Sequence, residues 1–180
     1  YRAEEVIDAT GKIVMPGLIC AHHHLYSTFA RGMAVPGEPA KNFMEILEKL
    51  WWRLDNALTK EDIYYSSLIP LIECVRNGTT TIIDHHESQS FQKGSLDEIA
   101  RAVEEVGIRA SLCLGTSDRY GKGGEGLEEN KRFLSLLNSR PSQLVNGMVG
   151  LHAAFTVNDD TLDKSVRLAK KFGVGVHVHC

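Results

Sequence analysis

The stretch Val14-Met15-Pro16-Gly17-Leu18-Ile19-Cys20-Ala21-His22-His23-His24 passes from an apolar run directly into three histidines. If residues 18–24 form a strand, alternate side chains share a face, so His22 and His24 point one way and His23 the other. Two imidazoles on one strand face, about 7 Å apart along the strand, are close enough to bind one metal ion. A buried histidine cluster is the alternative interpretation, and an HxH pattern alone does not decide between the two.

Beyond this stretch the chain alternates apolar, β-branched runs with segments of helical periodicity. Such alternation predicts a parallel sheet with right-handed crossovers. Five strand–helix units fit either an open doubly wound sheet or part of an eight-stranded barrel, and periodicity alone does not choose. The predicted strands are 18–24, 79–84, 108–114, 145–151 and 174–180, and the predicted helices are 43–54, 59–77, 95–107, 127–139 and 158–172.

Local signals add detail at the element ends. Thr59 predicts one helix N-cap, and Ser95 with Glu98 predicts a capping box. Residues 6–9 and 13–15 predict two short strands joined by a turn. The glycine-rich segment 120–126 lacks the GxxxxGK[ST] and GxGxxG patterns, so it predicts a flexible lid or a linker and not a phosphate cradle.

The eight histidines are confined to a few places. They occur at 22–24, at 85–86, at 152, and at 177 with 179, which are the carboxyl ends of predicted strands one, two, four and five. Barrel enzymes place their chemistry at this end of the strands. The distribution therefore favours a barrel over an open sheet.

Val14-Met15-Pro16-Gly17 followed by His22-x-His24 resembles the first barrel strand of the amidohydrolase superfamily. The segment from His24 to Gly32 resembles the SsnA-type aminohydrolases within its deaminase and chlorohydrolase branch. The similarity runs through nearly all of the chain. It implies an α/β fold that is a partial (β/α)₈ TIM-like barrel, with strands one to about five. It also implies that residues 1–17 are the end of a β-sandwich domain with its linker, and that 18–180 are the first part of the barrel.

The resemblance also implies site residues. In that family the strand-one histidines and a strand-five histidine bind metal, which carries over onto His22, His24 and His179. His152, in the strand-four motif, is implied to contact substrate. We expect His86 to be a second substrate contact, with a structural role as the alternative. Where family members often carry Pro-Leu-Glu, with a glutamate that contacts substrate, this chain has Arg53-Leu54-Asp55, so that role is not carried over.

The function implied is that of a metal-dependent hydrolase. We expect a hydrolytic deaminase that acts on a purine-, pyrimidine- or triazine-like ring through a metal-bound hydroxide. No lysine adjoins His152 to bridge two metals, so one divalent metal is expected, with Zn²⁺ favoured and Fe²⁺ as the alternative. The family's acid/base glutamate and remaining ligands would lie beyond Cys180. These 180 residues are therefore expected to bind metal weakly, if at all, and to be inactive alone.

Two other classes of protein are also compatible with the residues described so far. One is a non-catalytic metal- or ligand-binding module with a parallel α/β sheet. The other is a doubly wound phosphate-binding fold in which the histidines are incidental, and its weakness is the lack of a phosphate loop.

Composition restricts the partners. The chain has 20 basic and 23 acidic residues, and without a basic stripe we expect no nucleic acid. The apolar runs fall short of a membrane span, so we expect no membrane. Four cysteines without paired spacing predict reduced thiols and a cytoplasmic protein. The expected partners are a small heterocyclic substrate and, because a barrel cut after strand five exposes apolar edges, a second copy through homo-oligomerisation or edge association.

Overall fold

A parallel sheet forms the centre of the molecule, whose computed structural model describes residues 3–180. Strands β1 to β4 are hydrogen-bonded in chain order, and β5 pairs with β6. Every pair is parallel, as the alternation of elements predicts. The strands are β1 (Leu18–His23), β2 (Thr79–His86), β3 (Arg109–Leu114), β4 (Val145–Gly147), β5 (Val149–Ala153) and β6 (Val176–His179).

Helices connect the strands and enclose a core of aliphatic side chains against the sheet. The first connection is a helical stretch with a π-helical turn in its middle. Among the described residues, no helix is both long and apolar enough to cross a membrane. The helices are α1 (Phe43–Ile46), the π turn (Leu47–Trp51), α2 (Trp52–Asp55), α3 (Lys60–Arg76), α4 (Ser95–Val106), α5 (Gly123–Ser139) and α6 (Asp159–Phe172).

The predicted strand 145–151 is divided at Met148 into β4 and β5. The division does not interrupt the sheet, because Met148 N donates to Leu112 O (3.0 Å) and Thr116 N donates to Gly150 O (3.1 Å). One backbone segment therefore joins β3 on one side to β6 on the other.

The sheet curls. When β4 and β5 are counted as one strand, β1 is the first strand across the sheet and β6 is the fifth. In a flat sheet these two strands would lie about 19 Å apart, since neighbouring strands are about 4.8 Å apart. Instead, His22 Nδ1 on β1 lies 2.8 Å from His177 Nε2 on β6. The strands therefore follow a barrel wall and not an open doubly wound sheet, which confirms the predicted fold class.

Residues 3–17 contain no strand, so the short strands predicted at 6–9 and 13–15 are wrong. A strand requires backbone hydrogen bonds to a neighbour, and in the described part of the chain no segment pairs with this stretch. Val6 and Ile13 are 86% and 90% exposed. The predicted turn is present, because Lys12 N donates to Ala9 O at 3.0 Å.

The helix starts partly follow the predicted caps. Thr59 and Asp62 form a reciprocal capping box at α3, as expected. The box predicted at Ser95 is wrong, because Ser95 is already the first residue of α4 and Gly94 occupies the N-cap. A buried residue of another helix replaces the cap, since Leu96 N donates to Glu129 Oε1 at 3.3 Å.

Helix α5 begins at Gly123, four residues earlier than predicted, and absorbs most of the glycine-rich segment. The glycines allow this helix to approach the end of β3 closely. A Cβ atom at Gly126 would lie 3.1 Å from Thr116 Cα, which is closer than such atoms normally approach. The predicted lid or linker is therefore a packed helix start.

Candidate functional site

Three imidazoles converge at the carboxyl ends of β1 and β6. Nε2 of His179 lies 3.1 Å from Nε2 of His24 and 3.3 Å from Nε2 of His22. In the described chain these three residues form a group whose candidate ligand atoms all lie within 4.8 Å of one another. This convergence, across more than 150 residues of sequence, is the one that strand parity and a barrel predict. Their role as metal ligands stays a prediction.

Backbone carbonyls orient two of these rings. Nδ1 of His24 is 2.7 Å from His85 O, and Nδ1 of His179 is 2.6 Å from His152 O. A carbonyl oxygen only accepts, so both Nδ1 atoms carry the proton and both Nε2 atoms present a lone pair. Two lone pairs that face each other at 3.1 Å repel, and a bound cation would relieve this repulsion.

The donor set fits a divalent metal. A tetrahedral site with metal–nitrogen bonds of about 2.0–2.1 Å separates its ligands by about 3.3–3.4 Å, close to the two shortest Nε2 separations. Burial lowers the pKa of His24 to about 4 and also lowers the pKa of His22. Both rings are therefore neutral near pH 7, as metal ligands must be. His177 contacts His22 from the side and does not belong to the group of three.

The three histidines open onto a cavity of about 420 Å³. His152 lines it, as its predicted role requires. Its Nδ1 lies 2.7 Å from Thr156 Oγ1, whose own proton goes to Ala153 O at 3.0 Å, so Nδ1 is the donor and Nε2 is left as an acceptor. Burial lowers the pKa of His152 to about 3, which keeps the ring neutral. Aromatic residues cover much of the remaining wall, namely Tyr26, Phe43, Trp51, Trp52 and Phe155.

His86, which the sequence predicts to contact substrate, does not line this cavity. The side chain is fully buried, and its ring packs 5.8 Å from the ring of Tyr26. Ser88 Oγ donates to Phe91 O at 2.7 Å, so His86 Nε2, 2.9 Å from that hydroxyl, is the donor to it. These contacts agree with the structural role that the sequence left open as the alternative.

The residues beside His86 in the chain are held by other groups. Asp84 Oδ1 accepts from Leu25 N at 2.8 Å and lies 3.9 Å from His23 Nδ1, so it does not orient His85 or His86. His85 is oriented instead by Leu151 O, at 2.9 Å from its Nε2. The centre of the His85 ring lies 4.5 Å from the centre of the His179 ring, and its Nδ1 lies 3.9 Å from Glu87 Oε1. His85 therefore separates the three histidines from a group of buried carboxylates.

The carboxylates are Asp55 and Glu87, which both line the cavity and which we call the acidic wall. Arg119 Nη2 donates to Asp55 Oδ2 at 3.1 Å and to Glu87 Oε2 at 3.2 Å. Burial raises the pKa of Asp55 to about 6 and raises the pKa of Glu87, while Arg119 opposes both shifts. Sequence reasoning missed this cluster because its members are separated by 32 residues or more. The one available signal was Asp55, at the place of the family's substrate-contacting glutamate.

Comparisons with known proteins give matches along nearly the whole chain. The sequence profile of the Amidohydrolase family matches residues 13–180. The chain is 36% identical over 181 residues to a 5-methylthioadenosine/S-adenosylhomocysteine deaminase of Desulforudis audaxviator, covering 99% of the chain. It is 38% identical to a 5'-deoxyadenosine deaminase of Methanosarcina mazei, covering 98% of the chain. The chain spans 39% of the length of each of these relatives.

Solved structures give the same fold. An adenosine deaminase from Xanthomonas campestris, solved with bound zinc, matches with a TM-score of 0.75 and 25% identity, over 92% of this chain and 36% of that one. A guanine deaminase from C. acetobutylicum, solved with guanine, matches with a TM-score of 0.73 and 17% identity, over 91% of this chain and 39% of that one. At that identity the second likeness supports the fold alone.

Proposed function

The chain belongs to the amidohydrolase family, and on this premise we propose that it is part of a hydrolase that removes an amino group from a purine-, pyrimidine- or triazine-like ring. The observation that carries the proposal is the convergence of three Nε2 atoms at the edge of a cavity of heterocycle size. Its chemistry is hydrolysis of a carbon–nitrogen bond other than a peptide bond. The deaminases among its relatives support this reaction class.

We assign His22, His24 and His179 to one divalent metal, zinc first. A divalent ion held there supplies a Lewis acid that makes water nucleophilic near neutral pH. The chain's own contribution is to present three Nε2 atoms, and at His24 and His179 a backbone carbonyl holds the Nδ1–H group on the far side of the ring. The zinc in the Xanthomonas campestris structure supports the choice of metal.

We assign His152 to substrate. Its free Nε2 is an acceptor, so the ring is suited to a substrate N–H group and not to a substrate carbonyl. The aromatic walls supply flat apolar surfaces on which a heterocycle can stack.

The remaining assignments are proposals of the same kind. We propose residues 1–17 as the end of a β-sandwich domain with its linker and 18–180 as barrel, because the first strand begins at Leu18. We propose a cytoplasmic location, because all four cysteines are unpaired thiols in the described chain. We also propose self-association through the sheet edges.

The test uses the full-length protein. Metal content and ammonia release are measured with aminated purines, pyrimidines and triazines, before and after chelation and after zinc is restored. We expect about one zinc per chain and ammonia release from at least one ring class, lost on chelation and recovered with zinc. A zinc-loaded protein that releases ammonia from none of them would overturn the proposal.

A matched pair of variants tests the metal ligands separately. His24→Ala removes one of the converging Nε2 atoms, whereas His23→Ala removes the adjacent imidazole on the opposite strand face. We expect His24→Ala to lower the zinc content at least tenfold, while His23→Ala retains it. Equal zinc loss in both variants would contradict the assignment.

A further inference from the structure

We propose that His177 is a positioning residue for the metal site: it accepts the Nδ1 proton of His22 and so keeps Nε2 of His22 free to bind the ion. The inference rests on the proposed function, because it concerns one of the three assigned ligands. It gives a role to a histidine that lies beside the group of three and does not belong to it.

His22 is held differently from the other two rings. Nδ1 of His24 and Nδ1 of His179 each face a backbone carbonyl, which fixes the proton on Nδ1. Nδ1 of His22 instead lies 2.8 Å from His177 Nε2, and either nitrogen of such a pair can be the donor. If His177 donated, the proton of a neutral His22 would lie on Nε2 and would block that atom as a ligand.

The contacts behind His177 decide between the two directions. Sγ of Cys113 lies 3.5 Å from Asp84 O and 3.9 Å from Nδ1 of His177. A carbonyl oxygen only accepts, so the thiol proton points to Asp84 O and the sulfur lone pairs are left for His177. A neutral imidazole that donates from Nδ1 to the sulfur has a lone pair at Nε2. His177 is therefore the acceptor of the shorter hydrogen bond, and His22 is its donor.

This direction agrees with the other two ligands, although it follows from different atoms. Two carbonyls place the protons of His24 and His179 on Nδ1. A series of side-chain contacts that ends at Asp84 O places the proton of His22 on the same atom. All three Nε2 atoms then present lone pairs where they converge, as a divalent ion requires.

Glycine at position 150 allows these contacts to cross the barrel wall. Gly150 lies on β5, pairs in register with His177 on β6, and accepts a hydrogen bond from Thr116 N beyond the end of β3. A Cβ atom at position 150 would lie 3.0 Å from Sγ of Cys113 on β3. The glycine therefore leaves room for the sulfur of one strand to reach the imidazole two strands away.

The test measures the zinc affinity of the full-length protein by competition with a chromophoric chelator, after the metal has been removed. His177→Leu removes the acceptor, and we expect it to weaken zinc binding by about 10- to 100-fold. His177→Gln keeps an acceptor in its amide oxygen and should stay within about threefold of the wild type. Val176→Ala, on the opposite face of β6, is the control and should also keep the wild-type affinity.

A double-mutant cycle shows whether His177 acts through His22. In the His22→Ala background, His177→Leu should cause no further loss of zinc affinity, because the ring that it orients is absent. If His177→Leu does not fold, His177→Phe, which keeps an aromatic ring and lacks the acceptor, takes its place in the same cycle.

Three results would each overturn the positioning role: wild-type affinity in His177→Leu, equal losses in the leucine and glutamine variants, or a full additional loss in the His22→Ala background. These outcomes are separate from the proposed reaction. If the affinities follow the expected order but the zinc-loaded wild type releases no ammonia from any aminated ring, only the reaction is overturned. If ammonia is released but His177→Leu binds zinc as tightly as the wild type, only this inference is overturned.

Discussion

His86 makes folding depend on pH because an uncharged imidazole is enclosed without a counter-ion. It is fully buried, and burial lowers its pKa to about 3. Between about pH 6.5 and 3 the unfolded chain binds a proton that the folded chain does not. The free energy of unfolding therefore falls as the pH falls through this window, and the contribution of His86 is fully present only above it.

The variant His86→Gln isolates this contribution, since glutamine can donate to Ser88 Oγ without titrating. Between pH 7 and pH 5 we expect the wild type to lose about 2 kcal/mol relative to the variant. Urea unfolding of both proteins at several pH values measures the difference. Parallel pH profiles would contradict the explanation. Burial raises the pKa of Asp84 to about 7, so Asp84 makes the free energy of unfolding change with pH in the opposite direction. This effect is common to both proteins and cancels when their free energies of unfolding are subtracted.

The convergence of His22, His24 and His179 could be predicted from the sequence, whereas the acidic wall could not. Parity along a strand places His22 and His24 on one face, and a barrel brings His179 to them. No local rule connects Glu87 to Arg119, because their contact exists only after two strand-end loops fold against each other. His86 was assigned to the site because it follows a strand directly, but the strand continues to it and buries it.

At the scale of elements, the buried side chain of Asn130 connects α5 to the end of β3 and the start of β5 through hydrogen bonds. Asn130 Oδ1 accepts from Leu114 N at 3.0 Å and from Gly150 N at 3.4 Å. Its Nδ2 donates to Leu114 O at 2.8 Å and to Thr116 Oγ1 at 3.1 Å. The Asn130 amide therefore supplies hydrogen-bond partners to backbone groups at the end of β3 and at the start of β5.

The substitution Asn130→Ala would leave several of these buried groups without partners. We expect it to lower the free energy of unfolding by about 2–4 kcal/mol, measured by urea denaturation. Asn138→Ala, the same change at an exposed position of α5, should cost less than about 0.5 kcal/mol. Similar losses in the two variants would show that the helix, and not the buried amide, is responsible.

The ends of the elements were also where sequence reasoning was least successful. Glu129, on α5, accepts a hydrogen bond from a backbone N–H group at the start of α4, so the predicted capping box at Ser95 does not form. Glycines 123 and 126 were interpreted as a loop, yet they permit close packing at the start of α5. The order and type of the strands from 18 to 180 were predicted correctly, because apolar periodicity depends only on which faces are buried.

At the scale of the whole molecule, the curled sheet leaves apolar side chains exposed on its outer strands. In the described chain β1 pairs only with β2, and β6 pairs only with β5. Leu18 and Ile19 on β1 are 53% and 68% exposed, and Val176 on β6 is 36% exposed. Unpaired apolar strand edges promote association between chains.

A polypeptide of these 180 residues is therefore expected to self-associate. Ile19→Lys places a charge on the exposed face of β1 and should reduce the association, as measured by light scattering over a range of concentrations. Lys12→Ile, which adds an apolar side chain at an exposed position outside the sheet, serves as the control and should not reduce it. A concentration-independent monomer of the unmodified chain would refute the expectation.

The hydrogen bonds behind the imidazoles have a consequence for how such a site changes over evolutionary time. His24, His179 and His85 are held by the main-chain carbonyls of His85, His152 and Leu151. A carbonyl is present whatever side chain its residue carries, so mutation at a neighbouring position does not delete it. The acidic wall consists of side chains alone, and one nucleotide change can alter it. Substitutions at the residues that carry these carbonyls therefore leave the imidazoles oriented, whereas a substitution in the acidic wall removes its contacts directly.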